Sequence, residues 1–268
     1  MTSVVWITGA SRGIGRALVE SVPWAPASIY GVSRDLKTSP SLQAGQSYEH
    51  VTTDLSDQTS WTTVREAITG SLDRSDLRRA VMVHCAGTSL PIGFAGEVDT
   101  IAYERAVLLN SVAPQVLGEA FLQALAVLDV DRPASLVFMS SGTAGSYPGW
   151  SSYKSGKAAI DGWVRAVASE QERPGGRRVR VLSVAPGVVD TSMQEVVRSS
   201  SDRDLPGVER FRELHRQGRL STTEDVADSI WNLLESDGPM DPVVDLRERD
   251  EPGQSPEGQD TSIGRADG

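Results

Sequence analysis

Apolar runs of strand length alternate along this chain with longer segments whose apolar residues recur at helical period, and that alternation constrains the fold more than any other feature. Runs near 3–7, 28–32, 48–52, 80–84, 135–140, 178–184 and 242–246 predict about seven strands. Segments near 13–22, 57–70, 100–128, 152–172 and 223–235 predict the helices between them. Strands joined through helices pair in parallel, and right-handed crossovers place helices on both faces of the sheet. The expected fold is therefore α/β, a doubly wound parallel sheet, with functional groups gathered beyond the carboxyl ends of the strands.

At 268 residues, 39% of them hydrophobic, the chain is sized for a single domain with one layered core, taken here as 1–249. Within it, 188–220 is longer than an ordinary connection, mixes helical periodicity with Ser199-Ser200-Ser201 and Pro206-Gly207, and is expected to serve as a substrate loop. From Asp250 onward Ile263 is the only large apolar residue. Such a stretch cannot offset its ordering entropy by burial, so 250–268 is expected to be a disordered acidic tail. The formal charge of −10 argues against nucleic acid and anionic membranes as partners, since both require clustered Lys and Arg. Cys85 is the single cysteine, which rules out an intrachain disulfide, and no apolar stretch is long enough to span a bilayer; the expected location is cytoplasmic. No metal is expected, because His50 and His215 lack ligand-spaced partners. His84 and Cys85 are neighbours on a strand and point to opposite faces, so they read as buried packing rather than a nucleophile and its base.

Two local patterns carry chemistry. After the first strand, Thr8-Gly9-Ala10-Ser11-Arg12-Gly13-Ile14-Gly15 leads into a helical run. Glycines there permit an unusual backbone turn and close approach to a pyrophosphate, while the helix N-terminus offers unpaired N–H groups to the anion. Further on, Tyr153-Lys154-Ser155-Gly156-Lys157 opens an apolar-periodic helix, with Tyr153 and Lys157 four residues apart on one face. A nearby cation favours a phenolate, which would bring Tyr153 down from about pH 10 toward use as an acid/base. Upstream, the strand Leu136-Val137-Phe138-Met139 ends in Ser140-Ser141.

The TGxxxGIG turn and the YxxxK helix start, joined by a Ser-bearing strand end, resemble the short-chain dehydrogenase/reductase family, whose fold is a Rossmann-type doubly wound sheet. The resemblance implies a nicotinamide dinucleotide held by Gly9, Ser11, Arg12, Gly13, Ile14 and Gly15. Arg34 follows the second strand, and with Arg12 it implies NADP (NADPH), because a cation suits a 2′-phosphate where an acid would suit a ribose hydroxyl. The adjacent Asp35 keeps NAD open. Asp54 and Leu55 fall where the family contacts adenine, although Asp54 equally reads as a local helix-start acid. Where the family usually has Asn-Asn-Ala-Gly this chain has His84-Cys85-Ala86-Gly87, keeping Ala86 and Gly87 for close approach to the cofactor but losing both amide side chains. Pro186, Gly187, Val189 and Thr191 match the loop over the nicotinamide.

The same resemblance implies a catalytic set of Tyr153, Lys157, Ser141 and Asn110, with Tyr153 and Lys157 also touching the cofactor and Asn110 holding a water that relays protons to the Lys. Counting back thirteen residues from Tyr153, the commonest family spacing, gives Ser140; matching the hydrophobic pattern of the strand gives Ser141, which is preferred because loops change length more readily than buried strands change register. The run Pro186-Gly187-Val188-Val189-Asp190-Thr191-Ser192-Met193-Gln194 and the stretch Pro148-Gly149-Trp150 narrow the likeness to the branch of sepiapterin reductases and bacterial benzil reductases. Tyr147, Trp150 and Met193, with 194–218, are expected to form an aromatic, apolar substrate pocket, and Asp245 falls where pterin-reducing relatives anchor the substrate's amino group. The expectation is an NADPH-dependent carbonyl reductase acting on a small ketone, an aryl vicinal diketone of the benzil type. A pterin reductase or a ketoreductase of specialised metabolism is the enzymatic alternative, and an NADP-sensing regulator the non-enzymatic one. Relatives imply a homodimer, with a tetramer also open.

Overall fold

Each expected apolar run becomes a strand: β1 (Thr2–Thr8), β2 (Ala27–Ser33), β3 (Gln46–Thr52), β4 (Leu77–His84), β5 (Ala134–Met139), β6 (Val179–Ala185) and β7 (Val243–Asp245). The structure is a computed structural model that describes residues 1–128, 132–142, 147–173, 179–236, 238 and 240–248. All six pairings are parallel and the order is β3-β2-β1-β4-β5-β6-β7. This is the doubly wound sheet expected from the alternation, and its order reverses at β1, opening a crevice beyond the carboxyl ends of β1 and β4.

Side-chain alternation along the strands divides the core in two. Val4 and Trp6 of β1 pack with Val64, Leu117 and Ile160, which belong to the helices α2 (Trp61–Leu72), α4 (Ala113–Ala126) and α5 (Ser151–Gln171) on one face. Val5 and Ile7 pack with Leu18, Ile230 and Trp231 of α1 (Gly13–Glu20) and α8 (Thr223–Glu235) on the other. Trp6 stacks on Tyr30 with ring centroids 4.6 Å apart, and its indole N–H donates to Ser71 Oγ at 2.9 Å, so a fully buried ring leaves no polar atom unpaired. Burying a large apolar side chain such as Phe121 or Phe138 stabilises by about 1.5 to 3 kcal/mol, so the sheet is a rigid base for its loops.

One expectation needs correction. The single helix expected over 100–128 is interrupted: α3 (Thr100–Val107) passes through a π-helical turn at Leu108–Val112 before α4 begins. Pro114 sits in the first turn of α4 and has no N–H to donate to the Asn110 carbonyl four residues back, so the ordinary helical ladder cannot run through this point. The 188–220 segment, where helical periodicity is mixed with Ser199-Ser200-Ser201 and Pro206-Gly207, holds α6 (Ser192–Ser199) and α7 (Glu209–Arg216). The Thr191 hydroxyl accepts from Gln194 N at 3.4 Å, which starts α6. The tail expected over 250–268 lies outside the described residues.

Candidate active site

The loops after β1, β2, β3, β4, β5 and β6 border one cleft of about 770 Å³. At its start the backbone comes very close to itself. Gly9 has φ +70, and a methyl group there would sit 2.9 Å from Ala86 N; one on Gly15 would overlap the Gly9 carbonyl. Only glycine lets the turn press against the β4 loop and lets α1 pack behind it. Arg12, the residue before α1, makes no side-chain cap, and no acid sits in the first helical turn. The first N–H groups and the positive end of the helix dipole are thus left for an anion. Arg12, Arg34 and Lys37 line the cleft beside this turn, as does Asp35. Such residues fit the phosphates of a dinucleotide. Every residue expected to hold the cofactor, from Gly9 through Arg34, Leu55, Ala86 and Gly87 to Pro186, Gly187, Val189 and Thr191, lines the same cleft. The Asp54 carboxylate also lines it but is already engaged, accepting from Ser56 Oγ at 2.7 Å and pairing with Arg105 at 2.6 Å.

The missing amides of the β4 loop are replaced from elsewhere. Ala86 N donates to Thr8 Oγ1 at 3.1 Å; Thr88 N donates to Asn110 Oδ1 and Asn110 Nδ2 donates back to the Thr88 carbonyl, both at 2.9 Å. Asn110 is buried in the π-helical turn and does not line the cleft; its side chain shapes the loop that does. His84 is buried as expected, and neither ring nitrogen has a hydrogen-bond partner among the described residues. Desolvation, helped by the nearby Lys157 charge, pulls its pKa down to about 3, so the ring is neutral. Cys85 departs from the expectation of full burial: it is partly exposed and lines the cleft, yet desolvation still pushes its thiol up to about 12.

Tyr153 and Lys157 lie on the buried face of α5, one turn apart, with the Lys157 ammonium 5.7 Å from the centre of the Tyr153 ring. Lys157 Nζ donates to the Met139 carbonyl at 2.7 Å. Desolvation lowers its pKa to about 8. The lowered Tyr153 pKa expected from a neighbouring cation is not what the site produces: burial dominates and raises it, with Ser141 pulling the other way. Both serines line the cleft; Ser141 is part-exposed and is the one that acts to lower the Tyr153 pKa, while Ser140 is buried with its hydroxyl unpartnered among the described residues.

A wall of aromatic rings stands over Tyr153. Trp150 stacks on it at 4.8 Å between centroids, and Tyr147 and Phe211 pack edgewise or tilted against Trp150 and each other. Trp150 is fixed from behind, its indole donating to the Ser89 carbonyl at 3.0 Å. Met193, Val197, Leu205 and Val208 complete the cluster, so α6 and α7 close one side of the cleft as a substrate loop would. Asp245 differs from its expected setting. Arg247 pairs with both its carboxylate oxygens, and it is Arg247 that lines the cleft. Lys154 and Arg247 were not foreseen as lining residues, the one signal being the place of Lys154 beside Tyr153, whereas Arg210 falls within the 194–218 segment expected at the pocket. Among the described residues no three His, Cys, Asp or Glu side chains converge as a metal centre requires, and no helix is long and apolar enough to cross a membrane.

Comparison with known proteins bears directly on this geometry. The sequence profile of the short chain dehydrogenases matches residues 3–202, from β1 through α5 and just past the end of α6. The chain belongs to the short chain dehydrogenase family. It is accordingly an oxidoreductase of carbonyl or hydroxyl groups that works with a nicotinamide dinucleotide. Benzil reductase ((S)-benzoin forming) of Bacillus subtilis is 32% identical over 90% of this chain and 97% of its own. Sepiapterin reductase of Bos taurus is 29% identical over 86% and 89%. A short chain dehydrogenase/reductase structure from Saccharomyces cerevisiae covers 91% of this chain and 95% of its own, with a TM-score of 0.73 at 22% identity, and shares the fold.

Proposed function

We propose that this family member is an NADPH-dependent carbonyl reductase that converts an aryl vicinal diketone to the hydroxy ketone, as benzil to benzoin. The observation that carries the reading is Tyr153 stacked on Trp150, with Tyr147 and Phe211 packed against that ring, in the cleft that Ser141 also lines. When bound, NADPH supplies the hydride. Ser141 and Tyr153 present two hydroxyls to the substrate oxygen, Tyr153 donating its proton as negative charge develops there. The raised pKa of Tyr153 suits this direction, because a buried phenol stays protonated and is ready to act as an acid. Lys157, pulled down to about 8, is poised to return a proton to Tyr153 and to orient the cofactor's ribose, while Asn110 holds the loop against which both work. Arg12, Arg34 and Lys37 supply the positive charge that favours a 2′-phosphate. Aromatic walls suit aryl groups, and the second carbonyl of a diketone makes the first a better hydride acceptor.

Engagement of Asp245 by Arg247 weighs against pterin reduction, since the acid that would anchor a pterin amino group already has a partner. We expect NADPH-dependent kcat/KM for benzil to exceed that for sepiapterin in parallel assays. A higher value for sepiapterin overturns the diketone assignment.

A further inference from the structure

The substrate end of the cleft carries more positive charge than a neutral diketone requires. Lys154, on α5 next to Tyr153, places its ammonium 5.5 Å from the centre of the Tyr147 ring and donates to the Gly142 carbonyl at 2.6 Å. Arg210, on α7, reaches the same residue from the other side, its guanidinium donating to the Tyr147 hydroxyl at 3.1 Å. Arg247 lies against Gly142 and Gly187 at the rim, its charge balanced by Asp245. Lys154 and Arg210 hydrogen-bond only to these neutral oxygens: among the described residues neither forms an ion pair with a carboxylate, although Asp161 attracts Lys154 at longer range. The described carboxylates that line the cleft are Asp35 and Asp54, both at the far end where the loops after β2 and β3 meet the cofactor turn. Two unpaired cations thus flank one aromatic ring, one of them half-buried, in the wall that must receive the part of the substrate remote from the reacting carbonyl.

Partial burial works against the Lys154 ammonium in the empty site; Asp161 offsets part of that cost and the nearby Arg247 adds to it. An anion between Lys154 and Arg210 relieves that cost and adds charge-assisted hydrogen bonds. We propose that the substrate is an aryl ketone bearing a carboxylate, received between Lys154 and Arg210 beside Tyr147 while its carbonyl meets Ser141 and Tyr153. The inference rests on the carbonyl reductase reading above and sharpens its substrate class.

The test compares 4-carboxybenzil with its methyl ester, which differ in charge far from the reacting carbons. In NADPH oxidation assays at low salt, the acid is expected to exceed the ester in kcat/KM by about tenfold or more, through KM, as loss of a charge-assisted contact would predict. Added salt should shrink the ratio. In Lys154→Gln and in Arg210→Gln the ratio should fall toward one, whereas Lys154→Arg should keep it. Arg210 is exposed, so its substitution reads the pocket even if Lys154→Gln disturbs the Gly142 loop. An ester that equals or beats the acid in the unmodified enzyme, or a preference that survives both Gln substitutions, overturns the proposal. If neither compound is turned over, the reductase reading fails, and calorimetric titration of both compounds into the NADP-saturated protein decides the anion site separately: tighter binding of the acid upholds it and equal binding overturns it.

Discussion

At the scale of single residues the site works by contrast between neighbours. Ser140 and Ser141 follow each other at the end of β5, yet one hydroxyl is buried without a partner among the described residues and the other side chain is part-exposed and acts to lower the Tyr153 pKa. Adjacent residues leaving a strand face opposite ways, so a shift of one residue would exchange their roles. We therefore predict that Ser141→Ala lowers kcat much more than Ser140→Ala; the reverse order would show that Ser140 faces the substrate. Tyr153→Phe keeps the ring and its stacking on Trp150 but removes the proton donor. It should bind NADPH, measured by cofactor fluorescence, and lose at least about a hundredfold in kcat. A variant that retained turnover would place the chemistry elsewhere. Arg34 lines the cofactor end of the cleft and is exposed, so Arg34→Ala should spare folding. Its effect should be selective: KM for NADPH rises by roughly tenfold or more, on the scale of one charge-assisted phosphate contact, while KM for NADH barely moves. Equal changes for both cofactors would remove the argument for NADPH.

Among the elements, α6 and α7 matter most, because they convert a long connection into a wall of the site. Their hold on the catalytic helix runs through Gly149, which has φ +83 and lies so close to the Asp204 carbonyl that a methyl group would overlap it. This contact seats Leu205 and Val208 against Trp150 and Tyr153. Gly149→Ala should push the 201–208 turn outward and loosen the aromatic wall while leaving the β1 turn untouched. We predict a raised KM for the diketone with an unchanged KM for NADPH, and a parallel rise in both would show that the segment supports the whole cleft rather than its substrate end. The break between α3 and α4 is a second case. Helical periodicity continues across 100–128, and Pro114 was the visible sign that the ladder could not.

Over the whole molecule, His84 ties stability to pH. Its folded pKa is about 3 against an ordinary 6.5, so below 6.5 the unfolded chain takes up a proton that the folded chain refuses. Stability from this source is intact above 6.5 and is lost as pH falls toward 3, by about 1.4 kcal/mol per unit. The carboxylates whose pKa values are depressed, Glu20, Asp54 and Asp245 among them, hold their contribution until pH falls below their ordinary 4.5 or 3.8. The interval from 6.5 to 4.5 therefore isolates His84. Urea midpoints should drop across it, and His84→Asn, which cannot titrate, should flatten the drop; an equal slope in the variant would assign the effect to another group.

From sequence alone, the alternation of strand and helix patterns determined the doubly wound sheet, because strand-period and helix-period burial cannot be exchanged. Local spacing likewise determined the glycine turn and the Tyr153–Lys157 pair, since both depend on residues within one turn of chain. Only the tertiary structure decided that burial raises the Tyr153 pKa, that Ser140 is buried while Ser141 is part-exposed, and that Arg247 engages Asp245 while Lys154 and Arg210 close on Tyr147. Contacts of that kind join residues far apart in the chain. Desolvation, which governs the titration of the buried groups, depends on everything packed around them and leaves no periodic mark on the order of the amino acids.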